Sequence, residues 1–245
     1  MRGGIQMLFG KKRVTATPDC DAVVVAAGNA TRMGGIDKAL ALIGLEPVLV
    51  HAVRPFQQSA RIRRIVVVTR EDLLVSVSEA LHAAALEKVA AVIVGGQTRT
   101  ESVIRGLDAL DGGVRLVAVH DGARPLITAE LVDAVVEKAA KTGAAAPAVP
   151  VKDTIKVAEH GVVTRTPDRA TLFAVQTPQV FDRDFLRGAL QKAKQDQAAL
   201  TDECMACERL GMKVHLVAGA EENLKITTPI DLIVAGEIMA GRDEI

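Results

Sequence analysis

Residues 23–40 read VVVAAGNATRMGGIDKAL, in which an apolar run gives way at once to small residues. The apolar run predicts a buried strand, and residues 26–28 then leave backbone N–H groups open to close approach by an anion. Arg32 and Lys38 follow within the same loop. Two fixed cations beside such a loop indicate a phosphate chain on which negative charge builds during a reaction.

The chain beyond this stretch alternates between apolar runs and helical periodicity. The predicted strands are 22–26, 65–69, 90–94, 115–119 and 144–149, and the predicted helices are 47–58, 71–87, 100–110 and 128–142. This alternation predicts an α/β fold, a Rossmann-like three-layer α/β/α sandwich with a mostly parallel sheet. Ligands of such sheets bind beyond the carboxyl ends of the strands, so the loops that follow the strands form the candidate site.

Two later loops at the same end of the predicted sheet also carry glycine and polar groups. The loop GGQTRTES at 95–102 places Arg99 and Ser102 on one face of the helix that begins there. The loop HDGARP at 120–125 combines a carboxylate, a permissive backbone and a guanidinium, which suits a ribose or a metal-bound phosphate. Each loop alone fits ordinary turn chemistry. Their shared position with the first loop favours a single binding site.

Residues 152–171 interrupt the alternation. Segments 154–157 and 162–166 flank a Glu-His-Gly turn, which predicts a protruding β-hairpin arm. An isolated hairpin is marginal in water, so the arm either folds back on its own domain or reaches over a neighbouring subunit. In either case it can deliver Arg169 to a site. Farther along, Thr201 is a candidate helix N-cap, and Lys225 is expected in a short strand before the last helix.

Composition and charge exclude several classes of protein. The chain has 245 residues, 49% of them hydrophobic and 24% charged, with a formal net charge of zero. That balance, with no Trp or Tyr, argues against nucleic acid as a partner. The absence of an apolar run of about 18 residues predicts no membrane span.

The N-terminal segment and the cysteines predict the domain organisation and the compartment. Residues 1–20 lack the pattern of a secretory signal and are expected to form a mostly disordered tail before a single domain at 21–245. Three cysteines are too few for a disulfide framework, which fits a reducing cytoplasm.

These motifs, taken in order, resemble the 2-C-methyl-D-erythritol 4-phosphate cytidylyltransferases of the non-mevalonate isoprenoid pathway. The resemblance covers about residues 20–240 and rests on AAGNATRMG with its following lysine, GGQTRTES, HDGARP, PVKDTIK, PDR, TPQ, TDE and ENLKITTP. It implies an enzyme that joins CTP to a sugar-alcohol phosphate with Mg²⁺ and releases pyrophosphate. It also implies a homodimer in which the arm at 152–171 completes the partner's active site.

The resemblance further implies roles by position. Arg32 and Lys38 would be catalytic, and Asp121 would lie near the ribose, the phosphates and Mg²⁺. The residues expected to bind the nucleotide are Ala26, Ala27, Gly28, Gly96, Gln97, Arg99, Ser102, Asp121 and Arg124. Those expected to position the acceptor are Thr154, Arg169, Thr201 and Lys225.

Several alternatives remain beside this interpretation. Ribitol 5-phosphate cytidylyltransferases share the same loops, although PVKDTIK and PDRATLFAVQTPQ look more like the methylerythritol enzymes. A non-catalytic nucleotide-binding protein is the alternative of another class, and the retention of every cation that the reaction needs argues against it. A dehydrogenase is disfavoured because the first loop lacks G-x-G-x-x-G. The CxxC at 204–207 stands alone in a helical pattern, which favours packed thiols over zinc or redox chemistry.

Overall fold

The computed structural model describes residues 19–28 and 37–243. Its strands are β1 Cys20–Ala26, β2 Leu42–Ile43, β3 Glu46–Pro47, β4 Ile62–Thr69, β5 Val89–Val94, β6 Leu116–Asp121, β7 Ala144–Pro150, β8 Val157–Glu159, β9 Val162–Arg165, β10 Phe173–Val175, β11 Gln179–Asp182 and β12 His215–Ala218. Its α-helices are α1 Val48–Gln58, α2 Leu74–Ala83, α3 Arg99–Asp108, α4 Ala129–Thr142, α5 Arg183–Gln195, α6 Glu203–Glu208 and α7 Pro229–Asp243, and 3₁₀ turns lie at Glu71–Leu73 and Arg169–Thr171.

One mixed sheet of eight strands runs through the molecule. Its order is β10-β7-β11-β6-β1-β4-β5, and β12 pairs with β7. The pairs β1–β4, β1–β6, β4–β5 and β12–β7 are parallel. β10 and β11 run antiparallel to their neighbours. The predicted α/β class with a mostly parallel sheet is therefore confirmed.

Strand β1 shows how the sheet is covered on both faces. Ala22 and Val24 belong to the core that packs under α1, α2 and α4. Val23 belongs to the opposite core, under α3, α5 and α6. Successive side chains of a strand point to opposite faces, so an uninterrupted apolar run is buried on both sides. This double burial produces the three predicted layers.

Strand β6 is longer than its apolar run predicts. It ends at Asp121 because His120 and Asp121 continue the parallel pairing with Val24 and Val25 of β1. Both side chains are buried. The polar pair was expected in a loop, and its place inside the sheet fixes the Asp121 carboxylate far more rigidly than a loop would.

The folded part of the chain begins before residue 21. Cys20 is fully buried as the first residue of β1, and the Asp19 N–H donates to the Arg61 carbonyl at 3.1 Å. Residues 19 and 20, which were expected in the N-terminal tail, therefore belong to the fold. The remainder of that expectation, residues 1–18, lies outside the described residues.

The predicted arm contains a hairpin, with one strand displaced. β8 and β9 pair antiparallel, and their connection carries His160 and Gly161 at positive φ angles of 49° and 81°. Residues 154–156, expected in the first strand, lie before it instead. Positive φ angles at two successive residues are typical of tight two-residue hairpin turns, so the turn lies within the predicted Glu-His-Gly segment.

Two local predictions near the C-terminus are wrong. Asp202, rather than Thr201, caps α6 with its side chain, and Thr201 is exposed. Lys225 lies outside any strand. The neighbouring Ile226 N–H donates to the Ala123 carbonyl at 2.8 Å, a single bond that ties the segment down without forming a strand pair.

Side-chain hydrogen bonds mark the starts of α4 and α7. The Thr128 hydroxyl accepts from the Leu131 N–H at 3.3 Å at the start of α4. The Asp231 carboxylate accepts from the Thr227 and Thr228 N–H groups, both at 2.8 Å, at the start of α7. Within residues 19–28 and 37–243, no helix combines the length and apolar character that crossing a bilayer requires.

All three cysteines are buried free thiols. Burial raises the pKa of Cys207 to about 12 and also raises the pKa of Cys204 and Cys20 well above the ordinary thiol value. A thiol held in its protonated form is a poor nucleophile and a poor metal ligand. The packed-thiol interpretation of the CxxC follows.

Gly106 lets α3 lie close against β1, and this packing generates a stability prediction. A Cβ at Gly106 would overlap the Val23 side chain, whereas a Cβ at the exposed Gly188 of α5 would meet nothing within 4 Å. We expect Gly106→Ala to destabilise the fold by about 1–3 kcal/mol through overpacking. Gly188→Ala should stabilise it by up to about 1 kcal/mol through helix propensity. Urea unfolding of both variants measures the two effects, and equal shifts would contradict the close packing.

Candidate active site

A cleft of about 320 Å³ opens at the carboxyl ends of β1, β5 and β6. The three polar loops meet there, as expected for a sheet of this type. The predicted site residues that line the cleft are Ala26, Ala27, Gly28, Lys38, Gly96, Gln97, Arg99, Ser102, Asp121 and Lys225. Residues far apart in sequence are thus brought into one concave surface.

The first loop contributes backbone and a lysine. Lys38 and residues 26–28 line the same cleft. Arg32 lies outside the described residues. Arg70, the residue after β4, donates to the Asp37 carboxylate at 2.6 Å and to the Gly28 carbonyl at 3.5 Å.

Arg70 is a site residue that the sequence motifs missed. It connects the two described ends of the first loop, one on each side of residues 29–36. The signal that could have found it is its position directly after a predicted strand, where a parallel sheet places its functional side chains. The hydrogen bonds that Arg70 donates to the Asp72 carboxylate, together with the nearby Asp37, raise the pKa of Arg70, so it stays cationic.

The loop after β5 packs directly against the loop after β1. A Cβ at Gly95 would lie 2.6 Å from the Ala27 Cβ and 2.7 Å from the Ser102 Oγ. The Ser102 hydroxyl accepts from the Gly96 N–H at 3.1 Å and donates to the Thr98 carbonyl at 3.0 Å. Glycine at 95 is therefore required for the close approach, and Ser102 fixes the backbone path beyond it.

Asp121 is the centre of charge in the cleft. Its Oδ1 accepts from Arg99 Nη2 at 3.0 Å, and its Oδ2 lies 2.7 Å from Lys225 Nζ and 3.9 Å from Arg124 Nε. Burial by itself would raise the pKa of Asp121, but Arg99 and Lys225, with Arg124, hold it well below the ordinary value. Asp121 is therefore a fixed carboxylate at any physiological pH.

Arg99 is shared with a second carboxylate, Glu203. Its Nη1 donates to Glu203 Oε1 at 2.5 Å. Glu203 is buried, and burial raises its pKa against the opposing effect of Arg99. The sequence motif TDE includes this acid, but an acid in the first turn of a helix is commonly explained by the helix dipole. Its contact across α3 and α6 was missed for that reason.

A buried hydrogen-bond network supports Asp121 from behind. The Asp121 N–H donates to the Thr177 hydroxyl at 3.1 Å, and that hydroxyl lies 2.9 Å from His120 Nδ1. The Asn223 side-chain amide donates to the Thr177 carbonyl at 3.2 Å, while the Asn223 carbonyl accepts from Arg124 at 2.6 Å. The segments after β10 and before α7 are thus fastened to the end of β6.

The structure does not bring the remaining predicted residues into this cleft within one chain. Thr154 and Thr201 are exposed and are not among its lining residues. Arg169, also exposed, donates to the Lys152 carbonyl at 2.5 Å at the base of the arm. Arg124 reaches the site only through its ion pair with Asp121.

His120 generates a pH-dependent prediction. Burial lowers its pKa from 6.5 to about 4, so the folded state favours the neutral ring. This stability is complete above about pH 6.5 and is lost as the pH falls toward 4, because the unfolded chain binds the proton first. Between pH 7 and pH 4.5 the loss from this residue is about 2 kcal/mol.

The measurement is urea unfolding at those two pH values. His120→Asn keeps a polar group near Thr177 but does not titrate, so its stability should fall by about 2 kcal/mol less than that of the wild type. His160→Asn, at an exposed histidine of the arm, should behave as the wild type does. The same pH dependence in the wild type and His120→Asn would contradict the assignment.

Known proteins are similar to this chain in both sequence and fold. The IspD family model, described as 2-C-methyl-D-erythritol 4-phosphate cytidylyltransferase, matches residues 20–241. A protein of that name from Caldanaerobacter subterraneus subsp. tengcongensis is 42% identical over 217 residues, which are 87% of this chain and 96% of that one. One from Pelotomaculum thermopropionicum is 44% identical over 228 residues, 90% of this chain and 94% of that one.

A solved structure also matches this chain in fold and in sequence. The crystal structure of 4-diphosphocytidyl-2C-methyl-D-erythritol synthase from Anaerococcus prevotii superposes with a TM-score of 0.80 at 30% identity. The match covers 91% of this chain and 96% of that one. Since the family model covers residues 20–241 and the relatives match in sequence and fold, the chain belongs to the 2-C-methyl-D-erythritol 4-phosphate cytidylyltransferase family.

Proposed function

We propose that this cleft joins CTP to 2-C-methyl-D-erythritol 4-phosphate, giving 4-diphosphocytidyl-2-C-methyl-D-erythritol and pyrophosphate for isoprenoid precursor synthesis. By its family the chain is a cytidylyltransferase, that is, a nucleotidyltransferase. The observation that carries the proposal is the set of cations at the cleft. Arg99, Arg124 and Lys225 pair with the buried Asp121, and Lys38 lines the same cleft.

The chemistry explains why the site is built from cations. An oxygen of the acceptor phosphate attacks the α-phosphorus of CTP, and the bond from that phosphorus to the oxygen bridging to the β-phosphate breaks, releasing pyrophosphate. Both reactants are anions, so catalysis consists mainly of neutralising charge and holding an in-line geometry. The acceptor phosphate is already ionised and needs no general base.

The residues of the cleft have different roles in this reaction. Lys38, with Arg32 of the same loop, stabilises the charge that develops on the phosphates in the transition state. The nucleotide lies along the loops that follow β1, β5 and β6. Its contacts are Ala26, Ala27, Gly28, Gly96, Gln97, Arg99, Ser102, Asp121 and Arg124. Gly28 and Gly96 allow the backbone N–H groups to approach a phosphate or a base closely.

The donor set of the cleft fits Mg²⁺ held chiefly by the CTP phosphates. Among the described residues, no group of three or more His, Cys, Asp or Glu side chains could hold a metal ion by itself. Asp121 supplies one carboxylate, and Mg²⁺ commonly binds one or two carboxylates together with substrate phosphates and water. When bound, the ion would neutralise phosphate charge and help to align the reacting groups.

In the proposal, the acceptor is positioned by Lys225 of the cleft and by three residues outside it, Thr154, Arg169 and Thr201. The Lys225 ammonium pairs with Asp121, and in the proposal it exchanges this carboxylate for the phosphate of the incoming acceptor. Arg169 supplies a second cation for the same phosphate, and Thr154 and Thr201 provide hydroxyl groups for the polyol. Because Thr154 and Arg169 lie on the arm outside the cleft of their own chain, the proposal has them act on the partner's site.

A homodimer through the arm at 152–171 follows from this assignment. In its support, the arm and the adjacent edge strand β10 expose five large apolar side chains: Ile155, Val162, Val163, Phe173 and Val175. A two-stranded hairpin with an apolar surface is marginal in water unless another surface covers it. A second copy of the chain is the partner that would cover both arms at once.

The proposed compartment is the cytoplasm. Three unpaired cysteines and the absence of a disulfide fit a reducing environment. CTP, the proposed donor, is an intracellular metabolite, so substrate supply favours the same compartment.

The function is tested by supplying CTP and Mg²⁺ with each acceptor in turn and measuring pyrophosphate. We expect release with 2-C-methyl-D-erythritol 4-phosphate. Release only with ribitol 5-phosphate would assign the chain to the alternative acceptor. Binding of CTP without release in either case would support the non-catalytic alternative.

Lys38→Ala gives the matching residue-level prediction. Removing one fixed cation from the transition state should lower kcat by roughly 10²–10³-fold, as deletion of one oxyanion donor does, and Arg32→Ala should have an effect of the same size. Lys141→Ala is the control, since Lys141 pairs with Glu137 on the exposed face of α4. Near-normal turnover of Lys38→Ala would remove that lysine from the mechanism.

Mixing two inactive variants tests whether the arm crosses to the partner. In a mixed dimer of Lys38→Ala and Arg169→Ala subunits, a crossing arm brings an intact Arg169 to the site with an intact Lys38. Random mixing should therefore restore roughly a quarter of wild-type activity, because half of the dimers are mixed and each has one complete site. Arms that serve their own subunit would give no recovery on mixing.

A further inference from the structure

Glu203 is a buried carboxylate that the fold alone does not explain. Its side chain is almost completely shielded from solvent, and Oε1 pairs with Arg99. Oε2 is buried, and no residue within 19–28 and 37–243 forms a hydrogen bond with it. An ionisable oxygen buried without a donor disfavours the folded state, so a neutral side chain of the same shape would suit stability better.

The backbone that carries Glu203 is held in place independently of Arg99. Gln179 Oε1 accepts from the Glu203 N–H at 3.1 Å and from the Cys204 N–H at 3.0 Å. Gln179 Nε2 donates to the Asp202 carboxylate at 2.8 Å. The first turn of α6 is thereby fastened to β11, and Glu203 is a rigid anchor for whatever it contacts.

The two oxygens of Asp121 have partners of unequal mobility. Oδ1 accepts from Arg99, whose other nitrogen is anchored by Glu203. Oδ2 faces Lys225, whose side chain is 42% exposed, and also lies 3.9 Å from Nε of the more buried Arg124. Of these three cations Lys225 is the most exposed and the one that can leave, and its departure would open Oδ2 toward the cleft.

We propose that Glu203 is a positioning residue that keeps Arg99 on one oxygen of Asp121, so that the other oxygen can take a divalent cation. The inference rests on the proposed function, in which a metal–CTP complex lies beside Asp121. By dividing the guanidinium between two carboxylates, Glu203 also limits the positive charge that Arg99 presents to the metal. Without Glu203, Arg99 would direct its whole charge at Asp121 and compete with the cation.

Two substitutions separate this role from a structural one. Glu203→Gln keeps the length of the side chain and loses the charge, and Glu203→Met keeps only the volume. In both, Mn²⁺ binding to the CTP complex, followed by electron paramagnetic resonance, should weaken by about tenfold. The Tm should stay within about 2 °C of the wild type, because Arg99 keeps Asp121 as a partner and Gln179 still holds the first turn of α6.

Two controls make the result specific. Glu208→Gln removes the same charge from the exposed end of the same helix and should leave Mn²⁺ binding unchanged. In an Arg99→Ala background, Glu203→Gln should change Mn²⁺ binding by less than about twofold, because Glu203 acts through Arg99. An equal, additive loss in that background would overturn the positioning role.

The remaining outcomes are also decisive. Mn²⁺ affinities of Glu203→Gln and Glu203→Met within twofold of the wild type would overturn the inference and leave the proposed function intact. A loss of Mn²⁺ binding matched by a large fall in Tm would assign Glu203 a purely structural role. If the wild type binds neither CTP nor Mn²⁺, the proposed function fails first, and this failure is visible before any variant is compared.

Discussion

The carboxylate of Asp121 is the point on which the site depends. It is buried at the last residue of β6 and lies against three cations, which come from α3, from the loop after β6 and from the segment before α7. Each of those cations would be repelled by the others without the carboxylate between them. The charge that the sheet fixes at one position therefore determines where three separate segments can lie.

The backbone around Asp121 has to be arranged as closely as the charges. Gly95 brings the loop after β5 into contact with the loop after β1, and Gly106 brings α3 against the same strand. Thr177 and Asn223 fasten two C-terminal segments to the end of β6 through buried hydrogen bonds. Such bonds are strong in a low-dielectric interior and costly to break one at a time. Rigidity of this kind suits a reaction that relies on alignment more than on a nucleophile.

The sequence was sufficient for the fold class and for most of the cleft. Uninterrupted apolar runs identify buried parallel strands, and the rule that ligands lie at their carboxyl ends selects the loops. Contacts between distant side chains were not predictable, because no periodicity records them: Arg70 with Asp37 and Arg99 with Glu203 are examples. Thr201 was mistaken for the helix cap because its neighbour Asp202 satisfies the same chemistry one residue later.

Burial of the three thiols has a practical consequence for labelling. Reagents that alkylate cysteine react with the thiolate, and Cys20, Cys204 and Cys207 are held protonated inside the fold. The native protein therefore offers almost no background to a maleimide dye. A single cysteine introduced at the exposed Ala158 of the arm would carry a fluorophore selectively, without prior removal of the natural thiols. In the proposed dimer, energy transfer between such fluorophores would report the distance between the two arms in solution.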